Sequence, residues 1–354
     1  MSLFNGKNIK IEIYGESHAS EIGVNVSGFP SFKIDSEKLG EFLNRRKASS
    51  GAFSTQRKES DKPLFGGLNG EFIDGDFSTK IINENVKSGD YNNLYGKPRP
   101  SHADYAWFKK DGELNFSGGG RFSGRLTAPL CIAGGIAKQY LESKGVFIEA
   151  YLSQIGSIKG KSYKNANILK EELIKNRNEG EIPSLSNKQE MLNEIISVKS
   201  DGDSVGGTIE CIVYGLNAGL GDNLFGGLEG KIAYLLYSVP AVKGVEFGLG
   251  FDLSKMRGSQ SNDTLCYNGK NVELNSNNMG GINGGISNGE PITMSVAIKP
   301  TPSIYKEQQT VDLVNKKNTT IKIEGRHDSA IAVRAVPCIE SAVALAILDE
   351  ILGE

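Results

Sequence analysis

Residues 127–143, TAPLCIAGGIAKQYLES, and residues 337–352, PCIESAVALAILDEIL, decide the fold. Both have helical length and both are apolar almost all round, so each needs cover on more than one side. Lys144-Gly145 closes the first, and Pro337 suits the first helical position of the second. Gly134 and Gly135 weaken the first helix intrinsically, which predicts close backbone packing at that point. A third helix is expected over about 224–237, with Leu224, Leu228, Ile232 and Leu235 on one stripe.

Around these helices the pattern changes to period two. Ile9, Ile11 and Ile13 alternate with Lys10 and Glu12, and Thr320-Ile321-Lys322-Ile323 repeats the pattern near the end. Segments 146–155, 207–214 and 292–299 are rich in β-branched and aromatic residues. These read as strands, mostly of the half-exposed antiparallel kind. Strict β-α-β alternation along the chain is absent, so the predicted class is α+β. The architecture expected is a β-α-β sandwich, a central layer of buried helices between antiparallel sheets. Residues about 159–200 depart from the rest, being rich in Lys, Asn and Glu with two short amphipathic stretches. They read as a peripheral excursion from a single domain spanning 1–354.

Composition narrows the function. The formal net charge of −2 leaves no electrostatic footprint for nucleic acid. No apolar run reaches the ~18 residues of a membrane span, and the N-terminus lacks the apolar core of a leader peptide. Cys131, Cys211, Cys266 and Cys338 are widely separated, and three of them sit in apolar runs. The expectation is a cytoplasmic protein with reduced cysteines and no metal site. Glycine is in surplus: 44 of 354 residues, about 12% against a usual ~7%.

The rare residues cluster. All three histidines lie in polar, turn-rich segments: Gly15-Glu16-Ser17-His18, Arg99-Pro100-Ser101-His102-Ala103-Asp104 and Gly325-Arg326-His327-Asp328. Histidine titrates nearest neutral pH, so this placement points to proton chemistry. Arg45, Arg46, Arg57, Arg99, Arg121, Arg125, Arg326 and Arg334 lie in or near these segments. Their planar forks suit a ligand with several negative charges. Ser117-Gly-Gly-Gly-Arg-Phe-Ser-Gly-Arg125 precedes the first buried helix, where exposed backbone N–H groups favour an anion. A second glycine cluster, 277–289, leads into a strand ending at Lys299.

Taken in order, these segments resemble chorismate synthases: GESH at 15–18, RPSHADY at 99–105, SGGGRFSGR at 117–125, DSVGGTIE at 203–210, AGLGD at 218–222, PAVKGVEFGLGF at 240–251, NNMGGINGGISNGEP at 277–291, KPTPSI at 299–304 and GRHDSAIAVRAVP at 325–337. The resemblance spans nearly the whole chain outside 159–200. It implies a lyase that converts 5-enolpyruvylshikimate 3-phosphate to chorismate and phosphate by anti 1,4-elimination. Reduced FMN is required without net redox change, and a homotetramer is implied. By resemblance His18 protonates the departing phosphate and His102 the reduced flavin. Asp328 lies near flavin N5, and Ser17 and Ser123 stand close by. Arg45, Arg121 and Arg125 are implied for the substrate's anionic groups. Arg121, Phe122, Ser123, Pro240, Ala241, Gly284, Lys299, Pro300, Thr301, Pro302, Ser303 and Arg326 are implied for FMN. Ala19, Phe122, Gly124 and Leu126 depart from the family pattern. Arg46 matches one arginine of an NADP contact, but Ala52 replaces the other. The flavin is therefore expected to arrive already reduced, from a separate flavin reductase.

Overall fold

The computed structural model describes residues 1–17, 19–47, 60–83, 94–116, 119–177, 179–323 and 327–353. His18, Ala52, Arg57, Ser117, Gly118 and Arg326 lie outside the described residues. The first sheet has six strands: β1 (Ser2–Asn5), β2 (Lys10–Gly15), β3 (Glu21–Ser27), β4 (Phe32–Lys33), β5 (Leu64–Asn69) and β6 (Phe72–Ile82). The second has five: β7 (Phe147–Ile155), β8 (Ile158–Lys159), β9 (Gly207–Tyr214), β10 (Val242–Phe247) and β15 (Ile292–Ile298), in the order β10-β15-β9-β7-β8. Every pairing in both is antiparallel. Three hairpins stand apart: β11–β12 (Leu265–Asn268, Asn271–Leu274), β13–β14 (Ile282–Asn283, Ile286–Ser287) and β16–β17 (Gln308–Asp312, Lys317–Ile321).

Between the sheets run α1 (Ser36–Arg46), α3 (Thr127–Ser143), α6 (Leu228–Leu236) and α8 (Ala332–Ile351); α2 (Asp104–Asp111), α4 (Lys170–Asn176), α5 (Lys188–Ser200) and the short α7 (Gly258–Ser261) lie outside that layer. α3 packs along α8, touches β3 and β6 on one side, and α8 lies on β7 and β9 on the other. The sandwich expected from the two apolar stretches is thus present. Gly134 makes the α3–α8 approach possible: a Cβ there would overlap Ser341, whose hydroxyl turns back to the Pro337 carbonyl at 2.7 Å. A Cβ on Gly135 would come within 2.8 Å of Phe42 in α1.

Three expectations need correction. α8 begins at Ala332, so Pro337 lies inside the helix and not at its first position. The proline forgoes one backbone hydrogen bond, which is offset by the fully buried Val336 and Ile339 beside it at roughly 1.5–3 kcal/mol per side chain. Leu224 is not on the third helix's stripe. It has φ +48° and is 86% exposed, in a separate 3-10 turn before Gly227. Finally, β6 shows the expected one-sided alternation, but β7 and β9 are buried on both faces. The reason is the excursion, whose Ile168 and Leu173 pack with Tyr151 and Ile212 of β7 and β9. Its two amphipathic stretches are α4 and α5.

Candidate active site

The glycine-rich turn before α3 meets the 15–19 loop. Ser17 is buried, and its N–H donates to the Gly120 carbonyl at 3.3 Å. Ser123 caps the next 3-10 turn by accepting the Arg125 N–H at 3.2 Å. The Arg121 guanidinium lies 4.5 Å from the Trp107 ring centroid in α2 and 3.8 Å from the Glu16 carboxylate. Phe122 meets Trp107 edge-on at 5.5 Å and is 41% exposed. Ser17, Arg121, Phe122 and Ser123 are therefore brought together, with a flat aromatic platform that the sequence reading did not include.

Arg125 is buried beneath them. Its Nε donates to Asn83 Oδ1 at 3.0 Å and its Nη1 to Asp61. Arg46 grips the other oxygen of Asp61 and donates to Thr127 Oγ1 at 3.3 Å. Burial alone would raise the Asp61 carboxyl, but the two guanidiniums hold it below the usual carboxylate range. Arg46 is 3% exposed and commits its guanidinium to Asp61 and Thr127. Arg45, on the next face of α1, is held bidentately by Glu340 at 2.6 and 2.9 Å. It does not join Arg121 and Arg125 through any described bond. It lines instead a cavity of about 300 Å³ with Asp328, Arg334 and Arg177.

His102 is the best-oriented group. Its Nδ1 lies 2.5 Å from Asp104 Oδ1 and 3.1 Å from Arg99 Nη2; the close carboxylate favours Nδ1–H as donor, which leaves Nε2 as the nitrogen for proton exchange. Arg99 clamps the same carboxylate through Nε at 2.7 Å and Nη2 at 2.8 Å. Burial would raise Asp104, but the bonds from Arg99 and His102 outweigh it and hold it at about 2. Lys299 ties this loop to the second sheet, donating to the Ser101 carbonyl at 2.6 Å while its own N–H bonds Ala241 at 2.9 Å. Burial and the neighbouring Lys243 push the Lys299 ammonium down. Pro240 and Ala241 (φ +75°) thus sit beside Lys299, and Gly206 packs against Pro300. Gln308 bonds the Pro302 carbonyl at 3.4 Å, and Ser303 is buried. Gly284 lies apart at an open turn of β13–β14, whose bonds run to 219–228. Asp328 is paired with Arg334 at 3.1 Å.

The sequence reading noted His327 but assigned it no role. Burial, with Arg99 beside it, lowers its pKa to about 4 against a smaller opposing pull from Asp328. Both ring nitrogens are buried with no hydrogen-bond partner among the described residues, as is Thr301 Oγ1. Tyr305 lies 5.8 Å from the His327 ring. Unpartnered buried polar atoms are places where a bound group or water can supply the missing hydrogen bonds. Here they fall in and beside segment 299–305, next to Lys299, which fits a flat, phosphorylated cofactor with many acceptors.

Residues 9–352 match the chorismate synthase family profile. The chain is 40% identical over 351 residues to chorismate synthase of Thermococcus kodakarensis, covering 98% of this chain and 97% of that protein. It is 39% identical over 355 residues to the enzyme of Dehalococcoides mccartyi (99% and 96% covered). It is 40% identical over 357 residues to that of Methanococcus aeolicus (97% and 95%). A crystal structure of chorismate synthase superposes with a TM-score of 0.74 at 24% identity, over 99% of this chain and 93% of that one, which supports the fold. The sandwich, the histidine loops and these likenesses agree: the chain belongs to the chorismate synthase family.

Proposed function

We infer that the chain catalyses the 1,4-elimination of phosphate from 5-enolpyruvylshikimate 3-phosphate to give chorismate, with reduced FMN and no net redox change. The observation that carries this reading is the Arg99–Asp104–His102 relay beside Lys299 and the orphaned Thr301 and His327. When bound, reduced FMN would supply the electron density that lets a poor leaving group depart from C3 while a non-acidic C–H bond breaks at C6. Lys299, Thr301 and Ser303, with Phe122, Ser123 and Arg326, would hold it.

The protein's own work is protonation and charge placement. Asp104 fixes the His102 tautomer, so Nε2 is the atom that delivers or takes a proton. His18 serves the leaving phosphate, with Ser17 beside it. Arg121 offers the exposed guanidinium and Arg125 the buried one, while Arg45 lies across the cavity shared with Asp328. Asp328 accepts a proton in an orientation set by Arg334. Desolvation of these charges strengthens each interaction.

Several finer readings go with this one. Arg46, committed to Asp61, supports flavin reduction by a separate reductase and not by this chain with NADPH. A homotetramer is supported by apolar residues left in solvent: Phe225 is fully exposed, Tyr267 80% and Leu265 67%. Four free thiols, three of them buried, suit the reducing cytoplasm. The excursion at 159–200, packed on the second sheet, supports one domain over 1–354. The test is anaerobic incubation of the substrate with enzyme and pre-reduced FMN. Chorismate and phosphate should form one to one; absence of both would refute the activity.

A further inference from the structure

Asn83 directly follows β6 and is 7% exposed. Its backbone N–H donates to the Ser20 carbonyl at 3.0 Å. Its Nδ2 donates to the Ala19 carbonyl at 2.7 Å and the Glu16 carbonyl at 3.3 Å. Its Oδ1 accepts Nε of Arg125 at 3.0 Å. One residue thus holds three carbonyls of the loop that contains Ser17 and His18, and also one edge of a buried guanidinium. Only an amide donates from one end of a short side chain and accepts at the other. Arg125 has no acceptor, so the arginine itself fixes which way the amide points. Asp61 takes another edge of Arg125 and is shared with Arg46, which closes a buried chain from the 16–20 loop to the end of α1.

We propose that Asn83 is a positioning residue for the elimination, locking the 15–18 loop to Arg125 so that proton delivery and anion recognition stay in register. This rests on the lyase reading of that loop, above all on His18. Small displacements are enough: misplacing a catalytic group by about 1 Å costs on the order of 10²-fold in rate.

The test is a double-mutant cycle on anaerobic phosphate release, with thermal melts alongside. Asn83→Ala should lower kcat at least tenfold. In a His18→Ala background the same change should cost less than threefold more, because the proton donor it positions has gone and Asp61 still holds Arg125. A merely structural role would give the same factor in both backgrounds, and that result overturns the proposal. His18→Ala within threefold of wild type would instead sink the reading of the loop. Asn83→Asp keeps the volume and the Arg125 bond but cannot donate to the carbonyls. It covers the case in which Asn83→Ala does not fold. Its kcat should also fall at least tenfold, and a wild-type kcat would refute the proposal.

Discussion

Two sets of charges lie within the same fold and behave in opposite ways. In the helical layer, Glu340 is fully buried and takes Arg45, Lys138 and the Ala150 N–H, while Lys138 and Arg177 share Glu149. Each of these charges has an oppositely charged partner inside the protein, although Glu149 Oε2 has no hydrogen-bond partner among the described residues. At the rim, Arg121 and Glu16 are about half exposed and 3.8 Å apart, and among the described residues neither Thr301 Oγ1 nor either ring nitrogen of His327 has a hydrogen-bond partner. The first set links α1, α3 and α8. The second faces solvent more and is less tightly paired. Burial of charge therefore does not single out the candidate site, since the most deeply buried charges lie in the helical layer.

The contrast can be broken at its rim first. His102→Ala should lower turnover by ~10²–10⁴ while leaving the melting temperature near wild type; a loss below threefold contradicts the relay. Breaking the first set should do the reverse. Glu340→Gln leaves Arg45 and Lys138 short of a partner and should cost about 3–5 kcal/mol of stability, read by denaturant unfolding. Burial would raise Glu340, but Arg45 and Lys138 hold it at about 2. Its folded pKa is depressed, so its contribution is complete above the unfolded carboxylate value of ~4.3. The gap between wild type and Glu340→Gln should therefore close as pH falls from there towards about 2, and a constant gap would show that the charge is not the cause. Gly134→Ala forces α3 from α8 and should cost about 1–3 kcal/mol; an unchanged Tm would show that the helices have room to part. The smallest change is at the second set. Thr301→Val should weaken FMN binding about tenfold, the ~1–1.5 kcal/mol of one hydrogen bond, without loss of stability, since the hydroxyl has no partner to lose among the described residues. Unaltered FMN affinity would remove Thr301 from the site.

Periodicity made the layers legible. The all-apolar stretches at 127–143 and 337–352 announced buried helices, and Gly134 announced their close approach. It could not show that Pro337 is tolerated within a helix, because core packing outweighs one lost bond. Nor could it show that β7 and β9 are covered twice, because the cover comes from a polar-looking excursion. The segments were legible as motifs: Ser17, Arg121 and Ser123 meet at the turn before α3, and Lys299 meets the loop that carries His102. Asn83 and Asp61 were not, since a lone Asn or Asp carries no spacing signal. Their roles come from long-range bonds to Arg125, 42 and 64 residues away. Trp107 was missed for the same reason, and the motif around Arg45 gave no sign of its pairing with Glu340.

The most direct measurement is the number of phosphates released per FMN under anaerobic conditions. With pre-reduced FMN and no other reductant, one flavin should support many turnovers, and oxidised FMN should support none. Release that stops at one phosphate per flavin, or proceeds equally with oxidised FMN, would contradict a flavin-dependent elimination without net redox change.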